Sequence, residues 1–520
     1  MPKVKVNDVE LEVPAGTNMI EAAKLAGVEI PHYCYHPHLS VAGNCRMCMC
    51  ETDTPRGPML EIACNMQARD GLVIRTETDN VKAVRKSVME FLLVNHPLDC
   101  PICDQSGECR LQDYYMDHGK YDSRGNEAKV GKHKRQDIGE HIMLDAERCV
   151  QCSRCVRFGD EITHTGDLAL MNRGDHTEIG MFPGMRLEHD YQGNLADICP
   201  VGALTSKDFR FQRRVWYLRE TASVCTGCAT GCNIQVCHQE GEVFRYTPRR
   251  NDDVNQSWMC DPGRDRHVAI GSLSRVLRAT VDGAPSADAI PELARRIRAA
   301  GAGRVGFVLG TQASLEANWA MLQLVRANCP DAKVFWVAGA DADAIAKSDT
   351  FLMDADKNAN TAGVKLLAEW AGNVGDAAAL RAADLALLVV LEDDVVSRVG
   401  EVLAPALAYL GTQHNPTTAA AAIVVPVAHV VEMDATYLNR QGRVQRARRA
   451  TNPLGEAVPA YQALDALGAA LGRAPGTRMP VATFLAMARV IPRLAGLDYR
   501  GLGTNGKLIA PATPAAAEAK

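Results

Sequence analysis

The sequence predicts an α+β protein of several domains, and three observations carry that prediction. The chain has 520 residues, and at roughly 100–200 residues per domain it holds about three to four. Of its 18 cysteines, all but Cys329 lie between Cys34 and Cys260, so the first half is built around sulfur and the second is not. Beyond residue 265 the composition shifts to Ala, Val, Leu and Arg, and short apolar runs alternate with helical stretches, the pattern of a parallel α/β domain.

From the start of the chain, residues 3–13 (KVKVNDVELEV) alternate around Asn7-Asp8 as a hairpin would. A helix is expected from Met19 to Ala26, with Asn18 as its N-cap and Glu21 three residues on. Residues 72–78 read as a strand and 81–94 as a helix ending before His96-Pro97. Residues 118–140 are polar and read as a loop or linker, and strand-like pieces lie between the cysteines of 215–262. In the last half, Val305–Leu309, Val334–Val337, Leu385–Leu391 and Ile423–Val427 read as buried strands, and 286–300 and 313–328 as helices. The Ala/Pro-rich tail 507–520 is expected to be disordered.

Hydrophobic residues make up 47% and charged residues 23% of the chain, and the net charge is −5. That is the balance of a soluble globular protein, and it gives no reason to expect nucleic acid as a partner. No run of 18 or more apolar residues occurs, so no membrane-spanning helix is expected. The opening MPKVKVNDVE has the pattern of neither a secretion signal nor a transit peptide. In a chain of the cytosol, this cysteine density points to metal or redox chemistry rather than disulfides.

The cysteines fall into four sets. Cys34, Cys45, Cys48 and Cys64 form C-x10-C-x2-C-x15-C, the ligand loop plus distant fourth cysteine of a plant-type [2Fe–2S] ferredoxin with a longer first gap. Gly43 and Asn44 suit the tight turns such a loop needs. His96, Cys100, Cys103 and Cys109 form H-x3-C-x2-C-x5-C. An imidazole there would replace one thiolate and lower the negative charge of a cluster. Cys149, Cys152 and Cys155 form C-x2-C-x2-C, and with the remote Cys199-Pro200 they carry the signature of a [4Fe–4S] ferredoxin site. Cys225, Cys228, Cys232 and Cys260 form C-x2-C-x3-C-x27-C, which also suits [4Fe–4S]. Tetrahedral zinc is the competing reading of each set, strongest for His96/Cys100/Cys103/Cys109. Cys50, Cys237 and Cys329 are left without a role, as small buried hydrophobes.

The strings HYCYH (32–36), NCRMCMC (44–50), NHPLDCPICDQSGECRLQD (95–113), RCVQCSRCVR (148–157) and DICPVGA (197–203) resemble the large iron–sulfur subunit of respiratory complex I, the G subunit of NADH:quinone oxidoreductase. The resemblance is dense over residues 1–262 and returns in EMDATYLNRQGRVQ (432–445). It implies one [2Fe–2S] cluster on the first set and three [4Fe–4S] clusters on the others, with His96 a true ligand. It implies a β-grasp ferredoxin-like domain over 1–80, a segment with one histidine and three cysteine ligands over 81–120, and a ferredoxin-like domain over 121–217. A small [4Fe–4S] domain over 218–264 follows, then a reduced molybdopterin-oxidoreductase-like α/β domain over 265–506, short for its kind, with no molybdenum expected. The implied function is conduction of electrons from a flavin-bearing, NADH-oxidising subunit toward quinone. The implied partners are that subunit and the other iron–sulfur subunits of the peripheral arm, with the membrane arm reached indirectly from the cytoplasmic side of the inner membrane.

The alternative is the same module in a soluble NAD-linked formate dehydrogenase or hydrogenase. A molybdenum formate dehydrogenase needs a longer second half and a metal-ligating Cys or selenocysteine, and Cys329, before Pro330, reads as structural. An iron-only hydrogenase needs more cysteines after residue 260. A third possibility is a zinc-stapled scaffold without redox function. With no G-x-G-x-x-G and no G-x-x-x-x-G-K-[ST], the chain shows no nucleotide fingerprint, so NADH oxidation is expected on a partner.

Overall fold

The computed structural model describes residues 1–509 apart from 302, 340–345, 402, 474, 475 and 477. The chain divides into two compact units, Met1–Tyr217 and Leu218 onward.

The first unit opens with a five-stranded sheet. The predicted hairpin is β1 (Lys3–Val6) and β2 (Val9–Glu12), turning on Asn7 at φ +52. With β3 (Met49–Thr54), β4 (Gly57–Ile62) and β5 (Leu72–Arg75) the order is β2-β1-β5-β3-β4, in which β1 and β5 run parallel and the other pairs antiparallel. Helix α1 (Met19–Leu25) is capped by the Asn18 side chain, which accepts from the Ile20 amide. Glu21 pairs with Lys24 at 3.0 Å and accepts from the Tyr35 hydroxyl. The alternation Val4/Val6 and Leu72/Ile74 puts one face of the sheet against Met19, Ile20, Ala22 and Ala23, which is the β-grasp arrangement. The strand expected to reach residue 78 stops at Arg75, because Thr78 accepts from the Val81 amide and caps α2 (Asp79–Leu93).

Helix α3 (Arg110–His118) follows the second cysteine set, and the linker-like stretch contains only the two-residue strand β6 (Gln136–Asp137). Then come β7 (Ile142–Leu144), α4 (Arg154–Phe158), the hairpin of β8 (Ala169–Met171) and β9 (Glu178–Gly180), α5 (Gly193–Ile198) and β10 (Leu204–Ser206). A small sheet forms in the order β10-β7-β6.

The second unit begins with an antiparallel three-stranded sheet, β11 (Arg219–Val224), β12 (Asn233–Gln239) and β13 (Glu242–Pro248), and then α6 (Asp261–Arg264). Its main body is an eight-stranded sheet. A short hairpin, β14 (Thr280–Val281) and β15 (Ala284–Pro285), gives it an antiparallel edge. The six strands β16 (Val305–Val308), β17 (Lys333–Phe335), β18 (Val374–Gly375), β19 (Leu387–Leu391), β20 (Ala406–Gly411) and β21 (Ile423–Pro426) are all parallel. The order is β15-β14-β21-β20-β19-β16-β17-β18. The chain runs outward through β16, β17 and β18, then returns to β19 and continues through β20 and β21. The sheet is therefore doubly wound, with its switch point between β16 and β19. Helices α7 (Ala289–Ala300) and α8 (Leu315–Asn328) bury Leu293, Ile297, Leu322 and Leu324 in one continuous core with Phe307 and Val389.

At the switch point a buried polar cluster fills the strand ends. Asp393 accepts from the Thr311 amide at 3.0 Å and hydroxyl at 2.9 Å. Arg398 reaches Asp393 at 3.0 Å and Asn358 at 2.6 Å. Beyond the large sheet, β22 (Ala435–Leu438) and β23 (Arg443–Ala447) pair antiparallel. The last described residues correct one expectation: Lys507–Leu508, placed in a disordered tail by composition, form a further strand, β24, against Arg443 and Val444 of β23. The rest of the tail, from 510, lies outside the described residues. Among the described residues, no helix is long and apolar enough to cross a membrane.

Candidate metal centres

Cys34 follows α1, Cys45 and Cys48 sit in the loop entering β3, and Cys64 sits in the turn Ala63–Asn65 leaving β4. The loop uses two left-handed residues, Gly43 (φ +62) and Arg46 (φ +58). A Cβ on Gly43 would lie 3.0 Å from Ile62 Cδ1, so glycine serves both conformation and space there. The four thiols converge: Cys34 is in hydrogen-bonding reach of Cys45 and Cys64, and Cys48 of Cys64. Those bonds hold the Cys34 and Cys48 thiols below their ordinary value. They raise Cys45 and Cys64, with burial adding to the rise. Four sulfurs within reach of one another in a buried pocket suit a soft metal.

Cys149, Cys152, Cys155 and Cys199 all line one cavity of about 20 Å³, walled by Leu144, Ile179 and Leu204. Burial raises every thiol of this set, Cys149 to about 12 and Cys199 to about 11. Burial disfavours the thiolate form at each sulfur, and bound iron would supply the charge that favours it. Gln151 (φ +53) and Ser153 (φ +57) take left-handed backbone between the cysteines, which turns the Gln151 amide onto Cys149 Sγ at 3.3 Å.

The same device recurs through the chain. The amide two residues after the cysteine faces the sulfur at Cys103, Cys109, Cys152 and Cys225. Amide-to-sulfur bonds of this kind stabilise negative charge on a ligating thiolate.

His96 follows α2, Cys100 is exposed, and Cys103 and Cys109 are buried, Cys109 standing just before α3. The Nδ1 of His96 is buried and has no hydrogen-bond partner. Burial, ahead of the charges of Lys129 and Arg148, pushes its imidazole down to about 4. A buried ring nitrogen left unbonded is costly, and neutral imidazole is the form that ligates metal. The residues fit the expected group at this point.

Cys225 follows β11, Cys228 and Cys232 lie in the loop to β12, and Cys260 precedes α6. The Cys225 amide donates to the Cys232 carbonyl at 2.8 Å, closing the loop. A Cβ on Gly263 would meet Cys260 Sγ at 3.1 Å and Cys225 Sγ at 3.3 Å, so the two distant sulfurs meet over that glycine. The loop is built into the second unit: the Ala229 amide donates to Asp356 O at 2.8 Å, Thr230 Oγ1 to Leu352 O at 2.7 Å and Gln445 Nε2 to Gly231 O at 3.0 Å.

The structure also names residues that spacing did not single out. Arg157 Nη2 donates to the carbonyl of Cys34 at 2.6 Å and to that of Cys152 at 3.2 Å, tying the first set to the third. Asn44 Nδ2 donates to Gln151 O at 3.2 Å across the same junction. Gly202, three residues after Cys199, leaves no room for a Cβ, which would stand 2.3 Å from Cys103 Sγ. This joins the third set to the second. Arg157 stands inside the RCVQCSRCVR string, but Cys34 lies more than 100 residues away, and no local signal reveals that bond. Of the remaining cysteines, Cys50 on β3 donates to Glu61 O and is pushed up to about 12 by burial, while Cys237 and Cys329 are likewise raised.

Family models match successive segments of the chain. They are a 2Fe-2S iron-sulfur cluster binding domain over 3–79 and an NADH-ubiquinone oxidoreductase-G iron-sulfur binding region over 85–124. An NADH-quinone oxidoreductase subunit 3 ferredoxin-like domain covers 139–205, and an NDSU1/NuoG-like 4Fe-4S domain covers 218–267. A molybdopterin oxidoreductase model matches 400–470. Fold and sites together define a protein with 2Fe–2S and 4Fe–4S binding domains ahead of a molybdopterin-oxidoreductase fold, and the zinc readings are set aside.

More narrowly, the chain is a relative of the G subunit of NADH-quinone oxidoreductase. It is 39% identical to that protein of Rickettsia bellii over 61% of this chain and 47% of the relative. It is 44% identical to the mitochondrial NADH dehydrogenase [ubiquinone] iron-sulfur protein 1 of Solanum tuberosum, over 50% of this chain and 35% of the relative. The matches thus span half or less of those relatives' length. A solved NAD+-reducing [NiFe]-hydrogenase chain is 26% identical over 41% of this chain and 91% of its own, at a TM-score of 0.37.

Proposed function

We propose that this chain is the electron-conducting iron–sulfur subunit of the peripheral arm of an NADH:quinone oxidoreductase, standing between a flavin-bearing, NADH-oxidising subunit and the quinone-side iron–sulfur subunits. In this reading Cys34, Cys45, Cys48 and Cys64 hold a [2Fe–2S] cluster. The His96/Cys100/Cys103/Cys109, Cys149/Cys152/Cys155/Cys199 and Cys225/Cys228/Cys232/Cys260 sets each hold a [4Fe–4S] cluster. The domain limits follow those sets: 1–80, 81–120, 121–217, 218–264 and 265–506. The chain works at the cytoplasmic face of the membrane, through its partners.

One observation carries the reading. Cys34, Cys109 and Cys152, one ligand from each of the first three sets, are buried in a single apolar cluster, and Cys45, Cys149 and Cys199 pack against it. Bound clusters supply reversible one-electron transfer, and tunnelling falls off steeply with distance, so ligand sets that share one dry core suit a relay. The contacts support this order of the sets: Arg157 links the Cys34 set to the Cys149 set, and Gly202 links the Cys149 set to Cys103. This chain's residues fix the spacing, exclude water and leave Cys100 at the surface end. The fourth set belongs to the other unit and is assigned to stability.

The test is Cys152→Ser in the assembled complex. NADH-to-quinone turnover is expected to fall to background, while NADH oxidation by an artificial acceptor at the flavin persists. Undiminished quinone reduction in an assembled variant lacking that cluster's EPR signal would refute the relay.

A further inference from the structure

Beside the second and third cysteine sets the first unit carries an open pocket of about 460 Å³, within the usual size range of ligand sites. Five cationic side chains line it, against two carboxylates, Asp99 and Asp145. Two of the cations are already matched. Lys134 lies 2.6 Å from Asp99, 3.3 Å from Asp145 and 2.9 Å from Glu147, and Arg148 lies 2.8 Å from Asp99 and 3.3 Å from Asp145.

The other three, Arg135, Arg210 and Arg214, have no carboxylate partner among the described residues. Arg214 donates to the main-chain carbonyls of Cys103 and Pro101, at 2.5 and 2.6 Å, so its charge is held in place but not neutralised. Arg210 lies over the ring of Phe211 at 4.6 Å, and its buried Nε has no hydrogen-bond partner. The backbone is strained at two of the lining residues. Arg135 has φ +52 and Phe211 φ +66, a region that bulky side chains rarely occupy and that is held only where surrounding structure requires it. At Phe211 the restraint is visible: its amide donates to Asp104 Oδ1 at 2.8 Å. Arg135 and Arg210 can turn planar guanidinium forks to a ligand with several acidic oxygens, and Arg214, its fork held by the two carbonyls, adds unneutralised positive charge to the same cavity.

We propose that this pocket is a polyanion site, taking a ligand of the diphosphate or polycarboxylate class through Arg135, Arg210 and Arg214. Such an anion comes either from free solution or from clustered acidic side chains of a partner protein seated on the pocket. The inference rests on the pocket alone and stands apart from the electron-relay reading.

The experiment titrates inorganic pyrophosphate, and separately citrate, into the purified full-length holoprotein and into the assembled complex by calorimetry at fixed ionic strength. The wild-type chain is expected to bind one equivalent. Arg135→Gln and Arg210→Gln should each weaken binding about tenfold, the worth of a lost charge-assisted hydrogen bond, and the double variant should abolish it. Arg135→Lys, which keeps the charge but loses the fork, should fall between. Binding in both chain and complex assigns the site to a free anion, and binding in the chain but not in the complex assigns it to a partner's acidic side chains. No binding to the wild-type chain, or equal binding to wild type and to a double variant of unchanged thermal stability and iron content, overturns the proposal.

Discussion

His96 shows how much rests on a single atom. Its Nδ1 is buried without a partner, a cost that natural structures keep only for a reason. If that nitrogen ligates iron, His96→Cys should retain a cluster whose midpoint potential falls by on the order of 100 mV, since a second negative charge enters the site. His96→Ala should lose or weaken the cluster. Redox-poised EPR of both variants decides the matter, and identical spectra and potentials in wild type and variants would make His96 a bystander. Arg157 acts on the same scale and differently: its bonds across the junction go to carbonyls, and through them it fastens two cysteine-bearing loops together.

At the scale of elements, the loop between β11 and β12 is what motivates the structural role proposed for the fourth set. Its carbonyls, amides and side chains are tied to Leu352, Asp356 and Gln445, and metal binding to such a loop contributes directly to folding free energy. Cys228→Ala should therefore lower the yield of intact protein several-fold while leaving quinone reductase activity per assembled complex unchanged. Purification and normalised assay measure both quantities, and full assembly with abolished turnover would place this set on the relay instead. The short helical turn Val430–Glu432 carries a pH dependence. His429 caps it, Glu432 pairs with buried Arg275 at 2.9 Å, and burial, then the charges of Arg275 and Arg266, push His429 down to about 3. The unfolded chain binds a proton at His429 below its ordinary value of about 6.5, whereas the folded chain does not until about 3. Stability is thus whole above pH 6.5 and is lost as pH falls toward 3, at up to ~1.4 kcal/mol per pH unit. Denaturant titrations at pH 7 and 5 should show the loss, and His429→Gln should flatten that part of the slope.

For the whole molecule, the two units divide the labour. The first gathers three ligand sets around one apolar cluster. The second supplies a doubly wound sheet whose switch point, the usual ligand crevice of such folds, is filled by the chain's own Asp393, Thr311, Asn358 and Arg398. A full complement of clusters on the four sets comes to about 14 irons per chain. Anaerobically prepared holoprotein should approach that figure by colorimetric iron assay; a value near ten would mean one [4Fe–4S] set is empty and would break the assignment of all four.

The β-grasp start is legible in the sequence because its signals are local: alternation at Val4 and Val6, an asparagine cap at Asn18, and thiolate spacing that only a few cofactors fit. The strands β16, β17, β19 and β21 are legible as apolar runs, with edges off by one or two residues. Strand β20 is not, because ALAYLG (406–411) is alanine-rich and reads equally well as helix until its neighbours β19 and β21 bond to it. By itself the sequence determined where the thiols and the imidazole that could ligate metal lie and which of them share a loop, because spacing within a loop is a covalent constraint. Only the tertiary structure decided which groups meet. The approach of Cys34 to Cys152 through Arg157, the seating of Cys103 against Gly202 and the convergence of Arg135 with Arg210 and Arg214 join residues far apart in the chain, 123 positions in the case of Cys34 and Arg157. Contacts of that kind are set by packing of whole elements, on which no local pattern reports.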